Sequence, residues 1–106
     1  MKVLWSDFAS ESLREIYVYY KEVAGENTAG RIKNTIFSAT NQLVRYPESG
    51  QIEDNLKILG EGHRYLVNGN YKIIYKPVKE GLLVTDIFDT RQDPRKINIS
   101  NRRIFR

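Results

Sequence analysis

The stretch YKIIYKPVKEGLLVTDIFDTRQDP, residues 71–94, decides the fold. It holds two runs rich in β-branched and aromatic residues, YKIIYKPV (71–78) and LLVTDIFDT (82–90), separated by KEG (79–81). Such runs suit pleated strands, and a short glycine-bearing gap joins them as a hairpin. Pro77 has no N–H for a ladder, so it belongs near the end of its strand. A turn built on Glu80-Gly81 would place Tyr71, Ile73 and Tyr75 on one face with Leu82, Val84 and Phe88. The opposite face would then carry Lys72, Ile74, Lys76, Thr85, Ile87, Asp89 and Arg91, with Lys72 across from Asp89. Asp86 falls on the apolar side in this register without a reason for being there. A slip of one residue would exchange the two faces.

Working outward, HRYLV (63–67) reads as the preceding strand, closed onto Tyr71 by NGN (68–70), while LKIL (56–59) is short and could be a strand. Upstream the period changes. Ala9, Leu13, Ile16, Tyr17, Tyr20, Val23 and Ala24 fall on one face of a helix, with Ser6 or Asp7 as its cap and Gly25 as its stop. Ala29, Ile32, Ile36, Ala39 and Leu43 form a second helical stripe, widened by Phe37, capped by Asn27 or Thr28 and ended by Pro47 and Gly50. KVLW (2–5) is a short β-like run. The order β-α-α-β-β-β predicts an α+β fold: an N-terminal strand, a helical hairpin and a three-stranded antiparallel meander, with the helices on one face of the sheet. Residues 1–97 form a single domain and residues 98–106 a basic C-terminal tail.

The chain has 106 residues, enough for one core without staples. It has no cysteine, hence no disulfide framework and no thiolate metal site. No apolar run reaches membrane-spanning length, and MKVLWSDFAS is not a signal peptide, so a cytoplasmic protein is expected, with no membrane partner. The net charge is +4. Its distribution is uneven: Arg91, Arg95, Lys96, Arg102, Arg103 and Arg106 crowd the C-terminal end against Asp93 alone. That end suits a nucleic acid or an acidic protein, or it is a solvated terminus.

Phosphate loops, His-Glu metal pairs and nucleophile elbows are missing from the sequence, which points to no cofactor and no metal. The single histidine, His63, reads as a half-exposed strand side chain. What remains is a cluster of cations and rings on adjacent strands: Arg64, Tyr65, Tyr71, Lys72, Tyr75, Lys76 and Arg91. Such a set suits RNA, by phosphate pairing and base stacking. Cleavage of RNA by such a set would use Lys or Arg on the phosphate and Tyr or a carboxylate on the proton. The plainer reading makes Tyr71, Ile73 and Tyr75 core residues, and Lys72 with Asp89 a surface cross-strand pair.

Several pieces then line up in order: LVRYPESG, Gly62-His63-Arg64, YKIIY and FDTRQDP. Together they resemble the RelE/ParE superfamily of type II toxin–antitoxin modules, over Val3 to about Lys96. The resemblance implies a small basic toxin bound by a cognate antitoxin in a hetero-oligomer. The antitoxin would cover the open sheet face and bring acidic side chains to the Arg102–Arg106 region. It also implies one of two targets. RelE-like members cut mRNA on the ribosome without a metal, using basic residues of the sheet, whereas ParE-like members poison DNA gyrase. For a nuclease the catalytic residues carried over are Lys72, Arg91 and Arg64. Residues expected to bind target or antitoxin are Tyr65, Lys76, Asp89, Arg95, Lys96, Arg102 and Arg103. Two departures favour the ParE-like side. Ile97 stands near the position of an expected tyrosine, and Asp89 stands where other relatives carry a histidine. A general acid is then missing, with His63 and Tyr65 as poor substitutes. The expected toxin is ParE-like and plasmid-stabilising; the alternatives are a ribosome-dependent endoribonuclease and an inactive relative that only binds an antitoxin.

Overall fold

A computed structural model describes residues 2–97. The chain runs through β1 (Lys2–Trp5), α1 (Asp7–Ala24), α2 (Glu26–Ala39), α3 (Gln42–Arg45) and β2 (Gln51–Ile52). A 3-10 segment (Asp54–Leu59), β3 (Arg64–Asn68), β4 (Tyr71–Val78), β5 (Gly81–Asp89) and a 3-10 turn (Pro94–Lys96) complete it. The strands make one five-stranded sheet in the order β1-β5-β4-β3-β2. β1 lies parallel to β5, and the other pairs are antiparallel. The α+β class and the helices on one face are as the sequence predicts. The sheet has one strand more than the expected layer, because Gln51–Ile52 pairs with β3.

The helical hairpin is tighter than its sequence suggests. The Ser6 hydroxyl caps α1 by accepting the Ala9 N–H at 3.1 Å. Gly25, at φ +91°, then reverses the chain in a single residue. A left-handed φ of this kind favours glycine, so α2 starts at Glu26 and leaves Asn27 and Thr28 inside its first turn rather than at its cap. The second stripe is broken after Ala39, where the Thr40 hydroxyl donates back to the Phe37 carbonyl at 2.6 Å. α3 resumes it and delivers Leu43, fully buried, to the core. That core joins Ala9, Leu13, Ile36 and Leu43 to Tyr71, Ile73, Tyr75, Leu82, Val84 and Ile87. Val23, in contrast, is 60% exposed, so the α1 stripe outruns the sheet beneath it.

Two corrections concern the sheet itself. The hairpin closes on Lys79-Glu80, with Val78 paired to Gly81, and β5 carries a bulge at Thr85, since Ile74 pairs with Asp86 while Tyr75 pairs with Val84. Up to the bulge the faces are as expected. Past it they exchange, as a one-residue insertion requires. Ile87 and Asp89 therefore share the helix side with Ile73 and Tyr71, and Asp86 and Phe88 share the reverse side with Ile74 and Lys72. Lys72 sits across from Phe88, and Asp89 across from Tyr71. The reverse face is also less open than expected. LKIL forms a 3-10 segment, not a strand, and its repeat of three turns Leu56 and Leu59 inward while Ile58 stays 82% exposed. Leu56 packs with Ile74, Phe88 and Ile97 into a second small cluster on that face.

The loop after α3 is pinned from the sheet. The Tyr75 hydroxyl donates to the Pro47 carbonyl at 3.0 Å and accepts the Gly50 N–H at 2.9 Å. A methyl group on Gly50 would lie 2.5 Å from the Tyr75 hydroxyl and 2.7 Å from the Tyr65 carbonyl oxygen. Gly50→Ala is therefore expected to destabilise by about 1–3 kcal/mol through overpacking. Tyr75→Phe, which leaves the buried Gly50 N–H without its acceptor, should cost a similar amount, roughly 1–3 kcal/mol. Denaturant midpoints equal to the parent's in both variants would refute the pinning role.

Candidate functional site

The cations singled out from the sequence do not converge. Lys72 projects from the reverse side of β4. Its Nζ lies 2.8 Å from Glu53 Oε1 and 4.1 Å from the centre of the Tyr65 ring. Lys76, on the same side, meets Glu61 Oε1 at 2.9 Å. Arg64 turns instead toward the loop after α3, donating to the Gly50 carbonyl at 2.9 Å and to that of Glu48 at 3.5 Å. Arg91 follows β5 on the helix side. It grips Asp89 with two parallel bonds of 2.9 and 2.7 Å and lies near the Tyr20 hydroxyl of α1. Arg95 makes the same fork with Asp93, and Lys96 is exposed beyond it. Arg102 and Arg103 lie outside the described residues.

The bulge at Thr85 accounts for the separation. It carries Asp89, and with it Arg91, to the side opposite Lys72, so the cross-strand pair expected between Lys72 and Asp89 does not form. Lys72, Arg91 and Arg64 thus point to three different places. Tyr65 is brought to Lys72, but its hydroxyl is engaged, donating to Gln51 Oε1 at 3.2 Å. His63 is buried at 4% exposure rather than half-exposed, and its carbonyl accepts the Glu53 N–H at 2.9 Å.

The electrostatics reinforce the pairing. Glu53 is 1% exposed. Burial pushes its carboxyl up, but the hydrogen bonds from Lys72 and Asn55 outweigh that and hold it below the ordinary carboxylate value. Asp89 is held low by the Arg91 guanidinium. The Tyr20 phenol is drawn down by the neighbouring Tyr71 hydroxyl and Arg91 guanidinium, whereas burial pushes Tyr71 up. Glu53, Glu61 and Tyr20 are the residues that sequence reasoning missed here. Each lies far along the chain from its partner, and Glu53 and Glu61 stand in short segments with no periodicity to mark a side chain as inward.

Chemically, this arrangement binds better than it reacts. Cleavage of a phosphodiester needs a cation free to receive charge building on the phosphate, with a base and an acid flanking it. Lys72, Lys76, Arg91 and Arg95 each already carry a carboxylate at hydrogen-bond distance.

The sequence matches the family model of the ParE toxin of the type II toxin–antitoxin system parDE over residues 3–94. The chain belongs to the ParE toxin family. No curated protein matches it. Among solved structures it resembles a chain of the chromosomal ParDE toxin–antitoxin system from P. aeruginosa, with a TM-score of 0.73 at 16% identity, covering 84% of this chain and 95% of that one. At that identity the likeness speaks for the fold, and the two-sided layout above is thus a ParE fold. This ParE-family chain is the toxin component of a type II module. Among its described residues no helix is long and apolar enough to cross a membrane.

The Lys72–Glu53 pair sets an acid limit on this face. The folded pKa of Glu53 lies below its unfolded value of about 4.5. The pair's stabilisation is therefore complete above that value and is lost as pH falls through the folded pKa. Glu53→Gln should lower stability at neutral pH by roughly 1–3 kcal/mol. Its melting temperature should also fall less steeply than the parent's as pH drops below about 4.5. Parallel acid limbs in the two proteins would show that Glu53 does not carry this dependence.

Proposed function

We propose that the protein is a growth-inhibiting toxin of the cytoplasm that acts on DNA gyrase, cuts no RNA, and is neutralised by a cognate antitoxin. One observation carries the choice of target: of the cations expected of a ribonuclease, Lys72 and Arg91 are each paired with a carboxylate and lie on opposite faces of the sheet, and Arg64 is turned to the loop carbonyls of Glu48 and Gly50. A phosphodiester lying on the reverse face would meet Lys72 already bonded to Glu53, with Arg91 out of reach behind the sheet. Breaking a buried pair to free its lysine would strand the Glu53 charge, a cost of several kcal/mol at each turnover. Membership of the ParE family supports the same side, and the gyrase target comes from the kinship of the sequence with ParE-like members. An antitoxin follows from the type II module, and a hetero-oligomer of the two chains is the expected resting form.

Purified protein titrated into a supercoiling assay with gyrase and relaxed plasmid should lower the yield of supercoiled product in proportion to its concentration. In a translating extract, mRNA should stay intact at the same concentrations. Message cleaved in the extract by the parent but not by Lys72→Ala or Arg91→Ala would overturn the proposal in favour of a ribonuclease. If neither assay responds and expression leaves growth untouched, the chain is an antitoxin-binding relative without a poison's activity.

A further inference from the structure

Past Val84 the fifth strand loses its outer neighbour. β1 pairs only with residues 81–84, and the chain then turns into α1. Among the described residues no strand lies beside residues 86–89 on that side. The ladder shows which backbone groups face the gap. Asp86 to Asp89 pair one for one with Ile74 to Tyr71, and the Thr90 N–H bonds the Asn70 carbonyl at 2.7 Å. Alternation along an antiparallel pair then turns the N–H groups of Ile87 and Asp89 away from β4, toward the open edge.

A groove of about 670 Å³ lies along this edge. Its outer wall is α1, where Phe8, Ile16 and Tyr19 supply apolar surface and Glu15 stands exposed. Asp86, 5% exposed, and Asp89 line it from β5. Asp89 is cancelled by Arg91, whereas Glu15 has no ion pair among the described residues. Two acids, Glu15 and Asp86, are then set against one cation, Lys96, which belongs to the segment leaving the groove.

Three features select the occupant. An open edge takes an extended backbone. Acids beside apolar side chains take cations interleaved with apolar groups. The sequence also continues from the groove itself. Lys96 lines it, and NISNRRIFR follows as residues 98–106, outside the described residues. Nine extended residues reach roughly 30 Å, and four residues of edge need only about 13 Å. Residues 98–101 are thus enough for a reversal, and RRIFR, three arginines and two apolar residues without an acid, is left for the edge. A second copy would bring its own charge of +4 against the same charge. A tethered segment is present at an effective concentration on the order of millimolar.

We propose that residues 102–106 run back along residues 86–89 as a further strand antiparallel to β5, in line with β1. Its arginines lie against Glu15 and Asp86, and Ile104 or Phe105 packs under α1. The inference concerns the chain's own edge and does not depend on which target the toxin poisons.

The chain has no cysteine, so introduced pairs report without background from native thiols. Ser12→Cys, in the α1 wall, is combined in turn with a cysteine at each of positions 102–106 of the full chain, and mild oxidation of dilute protein is followed by mass. Disulfides within one chain should form at alternate positions, as a strand requires. Adding Glu15→Arg should slow them about twofold to fivefold. Ser38→Cys on the exposed side of α2, in place of Ser12→Cys, should give almost none. In a cysteine-free chain, Arg103→Pro/Ile104→Pro should speed hydrogen exchange at the Ile87 and Asp89 amides about tenfold or more while leaving Ile73 unchanged. Thermal melts check that each variant folds. Three crosslinking results would each overturn the proposal: no crosslink above the Ser38→Cys level, equal crosslinking at all five positions, which means random collision, or disulfides that join two chains, which makes the occupant a second copy's tail. Exchange at Ile87 and Asp89 that ignores the prolines would overturn it as well.

Discussion

Between Val84 and Asp86 the fifth strand holds one residue more than its neighbour can pair, and the consequences reach both faces of the sheet. Thr85 is the extra residue. Its hydroxyl reaches the Ile74 carbonyl at 3.4 Å, and its own carbonyl receives the Ser6 hydroxyl at 3.4 Å. The bulge is thus stitched to β4 on one side and to the cap of α1 on the other. Strict alternation would put Phe88 under the helices and Ile87 outside. With the bulge, Ile87 completes the main core and Phe88 seeds the second cluster with Leu56 and Ile97. The same shift gives the Asp86 carboxylate a place on the reverse side, where alternation had left it among apolar neighbours. Bulges of this kind re-aim side chains at the cost of a local break in the ladder.

The distribution of charge follows from that geometry. Asp89 and Arg91, carried to the helix side, close on each other near Tyr20 of α1. Lys72, left on the reverse side, has no acid across the ladder and takes Glu53 from the 3-10 segment's cap instead. That choice buries a carboxylate almost completely, which is tolerable only because Lys72 and Asn55 bond both of its oxygens. A face built so is stable but committed, since its charges compensate one another and little field is left to act on a phosphate.

Much of the architecture could be read from the residues. YKIIYKPV announces β4 with both ends correct, and the two helical stripes place Ala9, Leu13, Ile36 and Leu43 where the core needs them. The bulge could not be read. Thr85 suits either face of a strand, and nothing in LLVTDIFDT marks which residue is skipped, so every face assignment after Val84 carried the error. LKIL misled for a different reason: four residues cannot distinguish a period of two from a period of three. Gly25 was legible as a stop but not as a complete turn. The site fared worse than the fold because its partners are acids. Glu53 and Glu61 look like solvated charges in the sequence, and only the fold brings them to Lys72 and Lys76. A list of cations therefore overstated the positive surface.

Pairing of this kind also bears on how one scaffold can serve different targets. A fold positions side chains, but its chemistry resides in the few groups that remain uncommitted. In this chain those groups are not on the strands, where sequence kinship first directs attention. The strand lysines and Arg91 are held by carboxylates, and Arg64 is held by a loop carbonyl that it helps to fix. By fixing that loop, Arg64, a residue first suspected of touching substrate, acts as a support. Each acid that neutralises a strand cation removes reactivity from the sheet.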